Sequence, residues 1–139
     1  MTLLQRLNPS SAPGPAGKYS QLAITTENTR IATFAGQIGL TNRGELPASA
    51  ADQTRLVFAA IEALLASQHA TPAHLVKLTI FVVGRARLAE FNLVRDEVYS
   101  EWFPDGDYPA NTLLLVAGLA AETILVEIDG SFVCPPAVS

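Results

Sequence analysis

Two polar side chains interrupt the apolar segments near the end of this 139-residue chain. Asn111 opens the segment that continues through Thr112 and Leu113, and Glu127 lies inside the apolar run Ile124–Ile128. A carboxylate in an apolar strand is costly to bury unless it is paired or takes part in chemistry. The two residues therefore predict a small pocket that offers one acid and one amide.

The bulk composition limits the classes of function. Hydrophobic residues make up 49% of the chain and charged residues 16%, and the formal net charge is −4. Because the nine Lys and Arg residues are scattered, nucleic acid is not expected as a partner. Such an apolar small chain needs an unusually complete core or apolar contacts between subunits, and we expect a homo-oligomer.

Thiol, metal and membrane functions have little support in the sequence. Cys134 has no His or Asp partner at a recognisable spacing, so we interpret it as a packed or surface thiol. His69 and His74 do not share one face of a regular element, and no metal is expected. The chain has no run approaching a membrane span and no apolar signal-peptide core near its start, which predicts a cytoplasmic protein.

The N-terminal part predicts an arm and a hairpin within a single domain over residues 1–139. Residues 1–17 are expected to form an irregular arm, since Pro, Gly and Ser dominate from residue 8 onward. Strands at residues 22–26 and 30–37, around a turn at residues 27–29, are expected to pair as a hairpin.

The rest of the chain predicts alternating strands and helices. Ser49 is a candidate N-cap, with Asp52 three residues on, for an amphipathic helix of about five turns. Residues 87–103 predict a second helix, and further strands are expected at residues 75–83, 112–116 and 123–133. The order β-β-α-β-α-β-β indicates an α+β, two-layer fold in which both helices cover one face of a mixed sheet.

Seven short segments, taken in order, resemble the Rid (RidA/YjgF) family of small trimeric proteins. They span about residue 17 to about residue 130 and are Gly17–Gln21, Phe34–Ile38, Gln53–Arg55, Val76–Phe81, Tyr99–Pro104, Pro109–Thr112 and Val126–Ile128. The resemblance implies a chorismate-mutase-like fold, with three copies around a central barrel and a small-molecule cleft at each subunit interface. It also implies hydrolysis of reactive enamine or imine metabolites to keto acids and ammonia, without a metal or other cofactor.

The resemblance also implies roles for individual residues. Glu127 matches the glutamate that positions or activates the attacking water, and Tyr19 matches a tyrosine that walls the cleft. Ala35 stands where the family often has serine before Gly-Gln, and Gly36 is the glycine of that pair. Leu113 stands where several members have a small or thiol residue. All of these except the catalytic Glu127 are expected to contact substrate.

The chain departs from the family at the position that binds the substrate carboxylate. Active deaminases have Pro-Ala-Arg, whereas this chain has Asn111, which cannot form the two charge-assisted hydrogen bonds of arginine. Losing such a bond costs about 1.5–3 kcal/mol, so classical 2-imino-acid deamination is expected to be weak or absent. Arg95 is a candidate replacement cation, and the alternative is an interface or surface salt-bridge residue.

Two functions remain open at this point. The first is an imine or enamine hydrolase that uses Glu127 and water. The second is a non-catalytic trimer that binds a metabolite or a regulatory partner. RNA cleavage, also associated with the family, is not favoured by the acidic charge balance.

Overall fold

Six strands and two helices, with two short 3-10 turns, form the described part of the chain, residues 2–137 of a computed structural model. The strands are β1 (Leu4–Leu7), β2 (Leu22–Thr25), β3 (Arg30–Gln37), β4 (Leu75–Val83), β5 (Ala110–Val116) and β6 (Val126–Cys134), and the helices are α1 (Ala50–Ser67) and α2 (Leu88–Trp102). Met1, Val138 and Ser139, which belong to the predicted domain and in the case of Met1 to the predicted arm, lie outside the described residues.

The main sheet has four strands in the order β3-β6-β4-β5. Strand β6 is antiparallel to both β3 and β4, whereas β4 and β5 are parallel. Parallel neighbours need a crossover connection, and α2 provides it between β4 and β5. The sheet is therefore mixed, which confirms the predicted α+β fold.

Both helices pack on one face of this sheet. The buried stripe of α1 joins strand residues in a single core, whose members include Phe58, Ile61, Leu65, Leu78, Ile80, Val82, Phe91 and Ile128. Ser49 caps α1 as predicted, because its side chain accepts a hydrogen bond from the Asp52 N–H at 3.1 Å. The sequence thus predicted the start and the approximate length of α1, and it predicted α2 to within one residue at each end.

Gln53 fixes α1 relative to the start of β6. It is fully buried, donates to the carbonyls of Pro47 and Thr123 at 2.8 and 2.9 Å, and accepts the N–H of Leu125 at 2.9 Å. A buried amide with all of these bonds made is stabilising rather than costly. The entry of the chain into β6, and hence the position of Glu127, is set by this residue.

The sequence predicted an irregular arm over residues 1–17, but part of this arm is a strand. Residues 4–7 form β1, which pairs antiparallel with β2. The Arg6 side chain is only 3% exposed and donates to the carbonyls of Pro72, Ala73, Leu75 and Asp107. Its guanidinium also lies 5.2 Å from the centre of the Phe103 ring. Arg6 fastens β1 to the body of the domain, while residues 8–17 contain no helix or strand, as expected.

The predicted hairpin between residues 22–26 and 30–37 is also wrong. A turn does form at residues 27–28, with Asn28 at a φ of 61°, but it leads the chain from one sheet into another. Strand β2 pairs with β1 and β3 pairs with β6. The physical reason is that Phe34 on β3 is buried against Phe132 of β6, with ring centres 6.3 Å apart.

No helix within the described residues covers the second face of the main sheet. Alternation along the strands places Thr33, Phe81, Thr112, Leu114 and Glu127 on this open face. Leu114 is 38% exposed, and Ile31 at the edge strand is 48% exposed.

No helix within residues 2–137 is both long and apolar enough to cross a membrane.

Candidate functional site

A cleft of about 400 Å³ lies between the segment 16–19, helix α2 and the start of β5. The residues that line it are Ala16, Gly17, Lys18, Tyr19, Arg95, Asn111, Thr112 and Leu113. Four residues predicted to bind substrate, Tyr19, Arg95, Asn111 and Leu113, are therefore brought together. Lys18 and Thr112 are cleft residues that the sequence did not single out, although Lys18 lies beside Tyr19 in a segment that resembles the family.

The segment 16–19 is held against β5 by hydrogen bonds from Ser20. The Ser20 N–H donates to the carbonyl of Pro109 at 3.1 Å, and its hydroxyl donates to the carbonyl of Tyr108 at 2.6 Å. The Tyr19 hydroxyl accepts the Ala16 N–H at 3.1 Å, which closes a small turn. These bonds place the Tyr19 ring at the wall of the cleft.

Arg95 is largely buried rather than on the surface. Its side chain is 15% exposed and lies over the rings of Phe91 and Tyr99, at 5.8 and 5.6 Å from their centres. Its Nε donates to Asp96 at 3.0 Å, and its Nη2 donates to Asn92 at 3.1 Å. These contacts hold the guanidinium in a fixed position at the cleft.

Asp96 lies between the two cations of the cleft. Its carboxylate is 3.1 Å from Lys18 Nζ and 3.0 Å from Arg95 Nε. Desolvation raises the pKa of Asp96, but the hydrogen bonds from Lys18 and Arg95 outweigh it, and the pKa is lowered overall. Two cations and one anion leave this group with a net positive charge.

The uncharged Tyr99 ring packs against the Arg95 guanidinium. Burial raises the pKa of Tyr99 to about 12, and its hydroxyl has no hydrogen-bond partner within residues 2–137. A phenol that stays protonated at neutral pH cannot serve as a general base there. Its role is to support the guanidinium through its ring.

Asn111 and Leu113 point toward the helices. Asn111 is in register with Leu78 on β4, and Leu113 with Ile80, both of which are fully buried. The Asn111 Oδ1 atom is buried and has no hydrogen-bond partner among the described residues. An unpaired buried carbonyl oxygen is costly, so a donor from a bound ligand or a water would be stabilising at this position.

Glu127 and Asn111 do not share a pocket within one copy of the chain. The prediction that they form an acid-and-amide pair is therefore wrong for a single copy. Glu127 is in register with Phe81, and side chains at successive strand positions point to opposite faces. Asn111 therefore lies on the helix face of the sheet and Glu127 on the open face. The sequence placed one polar residue in each strand but could not show which face each one occupies.

Ala35 and Gly36 do not line the cleft, and Gly36 lies beside Glu127. Both are exposed on β3, where the register with β6 shifts between Phe34 and Gln37. A Cβ atom on Gly36 would overlap Glu127 Oε2 and lie 2.8 Å from its Cδ. Glycine at this position thus leaves the space that the carboxylate occupies.

Gly36→Ala is expected to displace the Glu127 carboxylate without removing it. Because Gly36 is exposed and its φ is not in the left-handed region, we expect the free energy of unfolding to change by less than about 1 kcal/mol. Any activity that depends on Glu127 should fall by at least about tenfold, since small displacements of a catalytic group are costly. Gly14→Ala, whose Cβ would meet nothing within 4 Å, is the matched control. Unchanged activity in Gly36→Ala would show that the position of this carboxylate is not important.

No group of three His, Cys, Asp or Glu residues within residues 2–137 could hold a metal ion. His74 Nδ1 accepts the Thr71 N–H at 2.9 Å and so caps a short turn. Cys134 is buried at the end of β6. Neither His74 nor Cys134 lines the cleft.

Comparisons with known proteins define the class of this chain. Residues 9–134 match the family described as Endoribonuclease L-PSP. A RutC family protein from Pyrococcus horikoshii is 33% identical over 121 residues, which cover 86% of this chain and 89% of that protein. The chain therefore belongs to this family, the Rid (RidA/YjgF) family that its sequence motifs resemble.

Two further relatives carry information on fold and ligands. The crystal structure of YyfB from Yersinia pestis, a Rid protein of unknown function, aligns with a TM-score of 0.79 and 26% identity over 95% of this chain and 99% of its own. The Escherichia coli protein named "Putative reactive intermediate deaminase TdcF" is 28% identical over 85% of this chain and 88% of its own length. A crystal structure of TdcF contains bound serine and aligns with a TM-score of 0.67, 25% identity and coverage of 93% and 98%.

Proposed function

We propose that this protein is a homotrimeric hydrolase of a reactive imine or enamine, in which Glu127 of one copy completes the cleft of a neighbouring copy. The observation that supports this proposal is the separation of the site within one chain. The cleft holds the cations and the Asn111 amide on the helix side of the sheet, whereas Glu127 lies on the open face. A second copy packed on the partly apolar open face would bring the two parts together.

The chemistry follows from the properties of a protonated imine. Its carbon is electrophilic, and a carboxylate beside it stabilises the cation and accepts a proton from the attacking water. The new C–O bond forms as the C=N π electrons move to nitrogen. Proton transfer to nitrogen and cleavage of the C–N bond then release ammonia and leave a carbonyl compound. Glu127 is the group proposed to hold the water and move its proton.

The relatives support a small-molecule substrate. TdcF is named as a reactive intermediate deaminase, and its crystal structure contains serine. The open cleft of about 400 Å³ suits a ligand of similar size. Endoribonuclease action, which the family description names, is less favoured because this chain has a net charge of −4 and scattered cations.

The departures at Asn111, Leu113 and Ala35 restrict the substrate. Each replaces a polar or small group of the family pattern, and the strand arginine that binds the α-carboxylate is missing. We infer that the substrate either lacks an α-carboxylate or presents it to a cation other than a strand arginine. Classical 2-imino acids should react slowly, because nothing holds their carboxylate at position 111. The alternative function, a trimer that binds a metabolite without turnover, is favoured by these same losses.

Direct measurement of product release separates the two functions. Purified protein is incubated with imines and enamines, with and without a carboxylate, and ammonia and carbonyl formation are compared with the uncatalysed rates. The hydrolase proposal predicts acceleration with at least one class. Thermal stabilisation by these compounds or their products without any acceleration would instead support the binding function.

A further inference from the structure

We propose that Arg95 is the anion-binding residue of this cleft and replaces, from helix α2, the arginine that the strand lacks at position 111. The ligand class that fits is a small carboxylate that also carries an N–H or O–H donor. This inference deepens the proposed function and rests on it for the identity of the reaction. The evidence for it lies in the hydrogen-bonding capacity of the cleft.

Arg95 has N–H groups that no described residue accepts. A guanidinium carries five N–H groups, and Arg95 uses one on Asp96 and one on Asn92. Its Nη1 donates to no acceptor within residues 2–137. Since the guanidinium lines the cleft, its remaining N–H groups are available to an anion bound there.

The support beneath Arg95 keeps these donors in position. The guanidinium lies over the rings of Phe91 and Tyr99, and Asp96 and Asn92 hold two of its nitrogens. A cation fixed in this way loses little conformational entropy when an anion binds. An ordinary surface salt bridge lacks such support, as Arg55 shows: it is 51% exposed and pairs with Glu97 at 2.7 Å.

Asn111 provides the complementary acceptor. Its Oδ1 is buried, lacks a partner among the described residues and belongs to a residue that lines the same cleft. A ligand donor near the carboxylate would pair with this oxygen. Asparagine and Arg95 together therefore favour a ligand with an acid and a donor at one end, which is the chemistry of an amino- or hydroxy-acid derivative.

Asp96 competes with such a ligand. It is hydrogen-bonded to both Arg95 and Lys18, so it neutralises part of the charge that would attract an anion. Replacing it by asparagine keeps the shape and removes the negative charge. If Arg95 binds anions, this change should strengthen their binding in the wild-type background but not in Arg95→Gln. A gain that persists in Arg95→Gln would assign the anion to Lys18, with which Asp96 also pairs.

Binding of L-lactate, measured by calorimetry on the full chain, tests the inference, with the neutral lactamide as the comparison ligand. Arg95→Gln should weaken lactate binding by about ten- to hundredfold and leave lactamide unaffected. Arg95→Lys keeps the charge without the fork and should give an intermediate loss. Asp96→Asn should tighten lactate binding about twofold to fivefold. Arg55→Gln, which removes an exposed arginine of α1, should change neither ligand.

The outcomes that overturn the inference are clear-cut. They are wild-type protein that binds no lactate in the millimolar range, equal losses for lactate and lactamide in Arg95→Gln, or weaker lactate binding in Asp96→Asn. Thermal unfolding of each variant shows whether it is folded. If Arg95→Gln does not fold, lactate binding by Arg95→Lys and Asp96→Asn still tests the inference. Hydrolysis that survives Glu127→Gln would contradict the proposed function instead, without affecting the lactate result.

Discussion

Glu127→Gln is expected to lower the rate of imine or enamine hydrolysis by about 10²–10⁴-fold while the protein stays folded. Glutamine has nearly the shape of glutamate but cannot accept a proton from water at neutral pH. It also removes the negative charge that stabilises a protonated imine. The rate is followed as ammonia release under single-substrate conditions, and folding is checked by urea unfolding.

Asp129→Asn is the matched control for this change. Asp129 lies two residues further along β6, in register with Thr79, and so shares the open face with Glu127. Removing its charge should leave the rate within about threefold of wild type, because Asp129 is not the group proposed to hold the attacking water. A Glu127→Gln protein that retains the wild-type rate would exclude this carboxylate as the base.

Asn111→Arg is expected to raise kcat/KM for a 2-imino acid by about ten- to hundredfold. Arginine at this strand position restores the charged fork of the Pro-Ala-Arg motif, and the carboxylate of the substrate can then form two parallel hydrogen bonds. Asn111 already lines the cleft, so the new side chain has access to the ligand. Ammonia release from an imino acid generated in the assay gives the measurement.

Asn42→Arg serves as the control, since it introduces the same charge at an exposed loop position away from the cleft. It should not change kcat/KM beyond about twofold. If Asn111→Arg gives no gain although the protein remains folded, the cleft has been rebuilt for a ligand other than an imino acid. The missing arginine would then not explain weak activity on such substrates.

The local elements of this fold are predictable from the sequence because their signals are local. Strand β4 occupies residues 75–83 as expected, since a β-branched apolar run of that length favours a buried strand. Helix α1 begins after Ser49, where a side-chain oxygen accepts the Asp52 N–H. Both features depend on residues within a few positions of one another.

Strand β1 and its anchor could not be predicted in this way. The acceptors of Arg6 are backbone carbonyls 66 to 101 residues away, and carbonyls leave no trace in the pattern of side chains. The pairing of β2 with β1 instead of β3 has the same origin. A turn signal shows that the chain reverses, but partner choice depends on distant packing such as that of Phe34 on Phe132.

The sequence suggested part of the residue set of the cleft but not its arrangement. Tyr19, Asn111 and Leu113 were suggested by the family resemblance and Arg95 as a replacement cation, and all four line one cleft, whereas Ala35 and Gly36 do not. Glu127 lies on the opposite face of the sheet because its register with Phe81 is fixed by the β4–β6 pairing. The alternation of residues in the sequence shows which side chains of one strand share a face of the sheet. Whether side chains of two different strands share a face is known only once the register between the strands is known.

The most direct test of a site shared between copies is to mix two inactive variants. Asn111→Trp fills the cleft with an indole ring, and Glu127→Gln removes the acid. If each cleft takes Asn111 from one copy and Glu127 from its neighbour, unfolding and refolding the two variants together in equal amounts should restore about a quarter of the wild-type sites. Recovery of ammonia release near that level, absent when each variant is refolded alone, is the predicted result. A mixture that forms trimers yet stays as inactive as its components would contradict the shared site.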